Sequence, residues 1–220
     1  MKICVIDTET ADLSDNVYDI GWTVIDKRGN IEQEYNCLVR EVFTDANKMM
    51  GAFYAKKLFS HYAPMLDNNQ IHLESWGSAI TRLNKALEVC DVIAAYNAAF
   101  DFRVMGQTHR TLGFSGKVIK APIKTLDIWR FACETKLSQK TFVRLARRLG
   151  WVSTAGNIKT GAEYAYRYCR GDWGFIEDHT ALSDAKIESA ILADCFATKK
   201  RVPYGELGGA PWRIVQEVVA

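Results

Sequence analysis

Lys2-Ile3-Cys4-Val5-Ile6-Asp7-Thr8-Glu9-Thr10 is the stretch that decides the fold. Four successive apolar residues, Ile3 to Ile6, are what a central strand buried on both faces requires, and they end in an acidic pair. Side chains alternate across a strand, so Asp7 and Glu9 share one face at its carboxyl end. Two β-rich stretches follow, about Tyr18 to Asp26 and Ile31 to Val39. Between them Lys27-Arg28-Gly29-Asn30 supplies turn chemistry, and the three runs read as an antiparallel meander.

Beyond the meander the pattern changes to strands alternating with helices. From Arg40 to Asn69 the signal weakens, with a helical piece expected around Asn47 to Phe59 and an irregular segment around Pro64 to Asn69. Residues Glu74 to Val89 place Ile80, Leu83 and Leu87 at helical spacing, and Asp91 to Tyr96 reads as a second buried strand. Helices are expected at Phe100 to Leu112, Asp127 to Glu134, Gln139 to Leu149 and Gly161 to Cys169, with a fifth strand at Ile123 to Leu126. The last long helix starts near Thr180 or Leu182 and runs to Thr198, before a proline- and glycine-broken stretch and a short terminal helix. Such an order gives an α/β protein, a mixed five-stranded sheet with helices on both faces. Residues 1–200 form the expected domain, 40–70 a rim or lid, and 201–220 an extension packed on the same domain.

Bulk numbers bound the function only loosely. A chain of 220 residues with 48% hydrophobic and 25% charged residues can bury one sizeable core, and a formal charge of +2 does not by itself mark a nucleic-acid binder. Cys4, Cys37, Cys90, Cys133, Cys169 and Cys195 contain no Cys-x-x-Cys pair, which disfavours a zinc knuckle or redox motif. The first apolar run is too short for a signal peptide and no run approaches membrane-spanning length, so a cytoplasmic protein without a membrane partner is expected.

The chemistry lies in residues far apart in the chain. Asp101 directly follows Asn97-Ala98-Ala99-Phe100, and His179-Thr180-Ala181-Leu182-Ser183-Asp184 ends in another carboxylate. Asp7, Glu9, Asp101 and Asp184 brought together would repel one another and raise each other's pKa unless cations neutralise them. A carboxylate pair on a strand end can share one ion, and two ions roughly 3.5–4 Å apart can clamp the attacking and leaving oxygens of a phosphodiester. His179 and Asp184 are spaced for a loop-to-helix junction, with the imidazole on the loop and the carboxylate fixed on the first turns. An imidazole is the base that water activation near neutral pH calls for.

In three blocks the sequence resembles the DEDDh subgroup of 3′-to-5′ exonucleases, a DnaQ-like family with a ribonuclease H-like fold. Asp7-Thr8-Glu9-Thr10 is similar to its first motif, Asn97-Ala98-Ala99-Phe100-Asp101 to its second, and His179 to Asp184 to its third, His-x-Ala-x-x-Asp. The resemblance covers about Ile3 to Ala193. It implies that Asp7 bridges two Mg²⁺ or Mn²⁺ ions, that Glu9 and Asp184 complete the nucleophile-side ion, that Asp101 serves the second, and that His179 is the general base. It also implies release of 5′-nucleoside monophosphates from single-stranded or frayed 3′ ends of DNA or RNA, with Thr8, Thr10, Asn97 and Phe100 at the terminal nucleotide. Two departures stand out: Ala11-Asp12 follows the first motif where many members have Thr-Gly, and Tyr96 stands where a histidine often precedes the asparagine.

Substrate grip has weaker signals. Phe100 and Phe102 fit either a stacking platform or a core anchor. The stretch Gln139 to Leu149 sets Lys140, Arg144, Arg147 and Arg148 opposite Phe142, Leu145 and Leu149, as for phosphate contact or for a solvated face. Lys199-Lys200-Arg201 reads as a helix C-terminal charge cluster. A DNA polymerase or replication partner is an expectation tied to a proofreading role, and the rival to a nuclease is a non-catalytic nucleic-acid or polymerase-binding module on the same fold.

Overall fold

The computed structural model describes residues 1–12, 16–52 and 55–218. The sheet is built around β1 (Lys2–Thr10), which pairs antiparallel with β2 (Val17–Asp26); β2 in turn pairs antiparallel with β3 (Ile31–Val39). Gly29, at φ +84°, makes the turn between β2 and β3 that its type favours. Three short helices follow, α1 (Arg40–Phe43), α2 (Ala46–Met50) and, after a π-helical turn at Leu58–Tyr62, α3 (Ala63–Asp67). The irregular segment expected at Pro64 to Asn69 is thus helical in its first part, because Pro64 sits in the first turn, where a missing N–H costs nothing. The helical piece expected at 47–59 is broken: α2 ends at Met50, residues 51, 52, 55 and 56 are turn or bend, helical structure resumes at Lys57, and residues 53 and 54 lie outside the described residues.

A two-residue strand, β4 (Leu73–Glu74), pairs parallel with the end of β3 and adds a sixth strand to the expected five. Then come α4 (Trp76–Leu87), β5 (Val92–Ala95), α5 (Ala98–Thr111), β6 (Lys124–Asp127) and α6 (Ile128–Ala132), the last continuing into a π-helical turn at Cys133–Leu137. The chain closes with α7 (Lys140–Arg148), α8 (Ala162–Arg170), α9 (Ala181–Ala197) and α10 (Trp212–Glu217). Sheet order is β4-β3-β2-β1-β5-β6, antiparallel through β3-β2-β1 and parallel at β4-β3, β1-β5 and β5-β6. This is an α/β fold with a mixed sheet between two helical layers. No helix among the described residues is long and apolar enough to cross a membrane.

Alternation along β1 divides the core. Ile3 and Val5 face one apolar cluster with Leu192 and Cys195 of α9, whereas Cys4 and Ile6 face the other with Val104 and Met105 of α5. Each buried aliphatic side chain stabilises by about 1.5–3 kcal/mol, so β1 contributes to both halves of the core. Paired residues of antiparallel strands share a face, so Asp19, Gly21 and Thr23 on β2 point the same way as Glu9, Asp7 and Val5. Thr23 confirms the direction, its hydroxyl lying 2.7 Å from that of Ser189 on α9. The outer half of β3 is exposed, with Glu32 and Glu34 held to Lys2 at 2.6 Å and Lys186 at 2.9 Å.

Candidate active site

The parallel pairing of β1 and β5 brings their carboxyl ends to the same edge of the sheet, the usual place for a ligand crevice in an α/β protein. After β5 the chain makes a left-handed turn at Asn97, φ +70°, and enters α5, whose first turn carries Asp101. From the opposite layer α9 arrives with Asp184 in its own first turn. Its start is fixed by carboxylates: Asp19 accepts the Ala181 N–H at 3.0 Å, and Asp178 accepts the N–H and hydroxyl of Thr180 at 3.1 and 3.0 Å. Gly21 allows this approach, since a Cβ there would lie 2.7 Å from Leu182 Cα.

The acidic residues of the three blocks meet at this edge. Asp7 is acted on, after burial itself, by the charges of Glu188, Asp101, Asp184 and Glu9, and its pKa stands well above the ordinary carboxylate range. Burial pushes Glu9 up to about 8, partly offset by the ammonium of Lys57, and pushes Asp184 up to about 10 with help from Glu177 and Glu9. Asp101 rises to about 7 through burial, restrained by the hydrogen bond from the Thr8 hydroxyl at 2.8 Å. Thr8 points away from Asp7 and Glu9, into the α5 layer, so its side chain is spent on aiming Asp101. Burial and then Lys57 hold the His179 imidazole below its usual pKa.

Glu9, His179 and Asp184 each offer a ligand atom, all within 4.8 Å of one another. Imidazole Nδ1 lies 3.5 Å from Glu177 Oε2 and 3.9 Å from Asp184 Oδ2. Asp184 Oδ1 is buried without a hydrogen-bond partner among the described residues. A buried carboxylate oxygen left bare is costly, and a hard divalent cation is the group that fits an oxygen-rich cluster of this kind. His179 itself has φ +55°, on the loop residue just before the α9 N-cap, as the loop-to-helix reading requires.

Of the other sequence candidates, Thr10 ends β1 at a register shift and is half-buried, and Asn97 occupies the α5 N-cap position without a side-chain capping bond. Phe100 and Phe102 both pack partly on the core, and the Arg103 guanidinium lies 5.1 Å from the Phe100 ring centre. On α7 the basic side chains are exposed and Phe142, Val143 and Ala146 are buried; Leu149, expected on the apolar side, is 40% exposed past the helix end. Four neighbours of the site escaped the sequence reading. Glu188 is 2% exposed, one turn after Asp184 on the same face of α9, and accepts the Tyr96 N–H at 3.1 Å; its four-residue spacing from Asp184 was a legible signal. Asp19 follows from register, opposite Glu9. Glu177 and Lys57 carry no local signal.

Solved structures with a similar chain trace include exonuclease X in complex with 5′-overhanging duplex DNA, at 21% identity and TM-score 0.50, covering 89% of this chain and 92% of that one. The fold is the one these exonucleases have. Exonuclease I of E. coli in complex with a dA16 oligonucleotide matches at 12% identity and TM-score 0.56, over 98% of this chain but 42% of that protein. Its zinc-bound complex with single-stranded DNA matches at 13% and 0.55, over 90% and 41%. This chain therefore spans about two fifths of exonuclease I. No family model and no curated protein matches the sequence.

Proposed function

We propose that this protein is a divalent-metal-dependent 3′-to-5′ exonuclease of the DEDDh type, acting on single-stranded or frayed 3′ ends. One observation carries the reading: residues Asp7, Glu9, Asp101 and Asp184, drawn from three distant blocks, gather at one sheet edge with the His179 imidazole beside them. Asp7, Glu9 and Asp184 would hold one Mg²⁺ or Mn²⁺ ion and Asp7 with Asp101 a second. When bound, the ions would neutralise the charge that develops on the phosphoryl oxygens and support both the attacking and leaving oxygens.

The remaining steps belong to the chain. With a proton on Nδ1 facing Glu177 Oε2, 3.5 Å away, the Nε2 lone pair would be left to accept the proton of the attacking water. Attack at phosphorus breaks the bond to the 3′ oxygen of the preceding nucleotide, giving a 5′-nucleoside monophosphate and a strand shortened by one, with a new 3′ hydroxyl. The left-handed turn at Asn97 and the Phe100 ring stand beside Asp101, where they would meet the terminal nucleotide.

The test is digestion of single strands of DNA and RNA, 5′-labelled when linear and internally labelled when circular, with and without Mg²⁺. The expected result is a descending ladder from linear substrates with Mg²⁺ only. Cleavage of the circle would replace the exonuclease by an endonuclease, and binding without any nucleotide release would favour the non-catalytic module.

A further inference from the structure

The segment between β3 and α4 sends one cation into the acidic site. Lys57 is 7% exposed, its ammonium donates a hydrogen bond to the His179 carbonyl, and it lies 3.9 Å from Glu9 Oε1. The charges of Glu9, Asp184, Asp178 and Asp19 all act on it. A buried ammonium persists only where such partners compensate its desolvation, so its placement here is specific. The residue it grips is unusual too: His179 is not glycine, yet its backbone is left-handed, a conformation kept only where neighbours over-determine it. The bonds from Thr180 to Asp178 and from Ala181 to Asp19 secure the residues after it, and Lys57 secures its own carbonyl.

We propose that Lys57 is a positioning residue for His179, its ammonium tying the carbonyl of the catalytic loop to the Glu9 carboxylate on β1. The inference rests on the nuclease reading and extends it to a segment outside all three motif blocks. It has two opposed consequences. The tie holds the imidazole at a fixed height above the carboxylates, and displacing a reacting group by about 1 Å can cost about a hundredfold in rate. The same positive charge beside Glu9 opposes a cation bound there, so removing it strengthens metal binding. Ordinary structural damage would weaken both properties together.

Lys57→Met and Lys57→Arg are compared with the wild type by calorimetric titration of Mn²⁺ into the protein without nucleic acid, and by kcat and KM on a single-stranded oligonucleotide at saturating Mn²⁺. For Lys57→Met, Mn²⁺ affinity should rise by about tenfold while kcat falls by about ten- to a hundredfold and KM stays within about twofold. Lys57→Arg keeps charge and donors and should retain kcat within about threefold. Affinity and kcat falling together in the methionine variant, unchanged kcat, a rise in KM alone, or an arginine variant as impaired as methionine would each overturn the proposal. A wild-type protein that binds Mn²⁺ yet releases no nucleotide would instead overturn the nuclease reading and this inference with it; an active wild type indifferent to Lys57→Met defeats the inference alone.

Discussion

Two aspartates on β2 show the chain treating the same functional group in opposite ways. Asp26, at the turn end, accepts the Arg28 N–H at 2.7 Å and the Asn30 N–H and side-chain amide at 3.1 and 2.9 Å, and the bonds from Asn30 hold its pKa below the ordinary value. Asp19, at the other end, is buried, with one oxygen bonded to Tyr62 and Ala181 and the other unpartnered among the described residues, and burial pushes its pKa up to about 6. Along with it rise Asp7, Glu9, Asp101, Asp184 and Glu188. A chain able to satisfy a carboxylate so fully at one end leaves a buried cluster unsatisfied at the other. That contrast singles out the second end as the candidate site, since perturbed carboxylates cluster at functional sites.

The contrast breaks most sharply at Asp7. Asp7→Asn should lower nucleotide release by about a thousandfold or more while raising the melting temperature of the metal-free protein, because a carboxyl group whose ionisation the fold opposes is removed. A single-turnover assay and a thermal melt in chelator test the pair, and an active variant would strip Asp7 of its role. Next comes Gly21→Ala, whose Cβ would press on the Leu182 backbone and drive α9 off β2, carrying Asp184 away from Asp7. A loss of about 2–3 kcal/mol on denaturant unfolding and about a hundredfold in rate is expected. Stability and rate untouched together would mean that α9 yields freely.

Solution pH sharpens the comparison further. A carboxyl group whose folded pKa lies above its unfolded value binds its proton more tightly when folded. Its contribution is whole below about pH 4 and is lost as pH rises through the folded pKa, about 7 for Asp101 and about 8 for Glu9. The melting temperature of the metal-free protein should therefore fall by about 5 °C or more between pH 5 and 9, and Mg²⁺ should flatten the decline. A flat profile without metal would contradict the clustering. Asp26, with its pKa lowered, has the opposite sign and stabilises only above its unfolded pKa. The smallest effect belongs there: Asp26→Ala should lower the melting temperature by no more than about 3 °C at pH 7 and leave the rate unchanged.

How much of this was legible in sequence differed with the range of the interaction. The apolar run of β1, the turn at Gly29 and the start of α9 rest on local patterns, and they were readable. So were the motif carboxylates, because strand alternation and helix starts dictate where each one points. β4 was not, for two residues carry no periodicity, and Pro64 read as a breaker although it opens α3. Asp19 needed the β1–β2 register to be seen opposite Glu9. Lys57 needed the folding-back of a segment with no strong pattern of its own.

The outer half of β3 leaves backbone donors and acceptors without a strand partner on one side among the described residues, the kind of edge on which a second copy of a chain can pair. Glu32 and Glu34 alternate along that edge, each tethered to a lysine. A neighbouring molecule offering the same strand would have to bring its own glutamates against these and strip water from both sets. Charge on an exposed edge strand opposes strand-to-strand pairing of this kind.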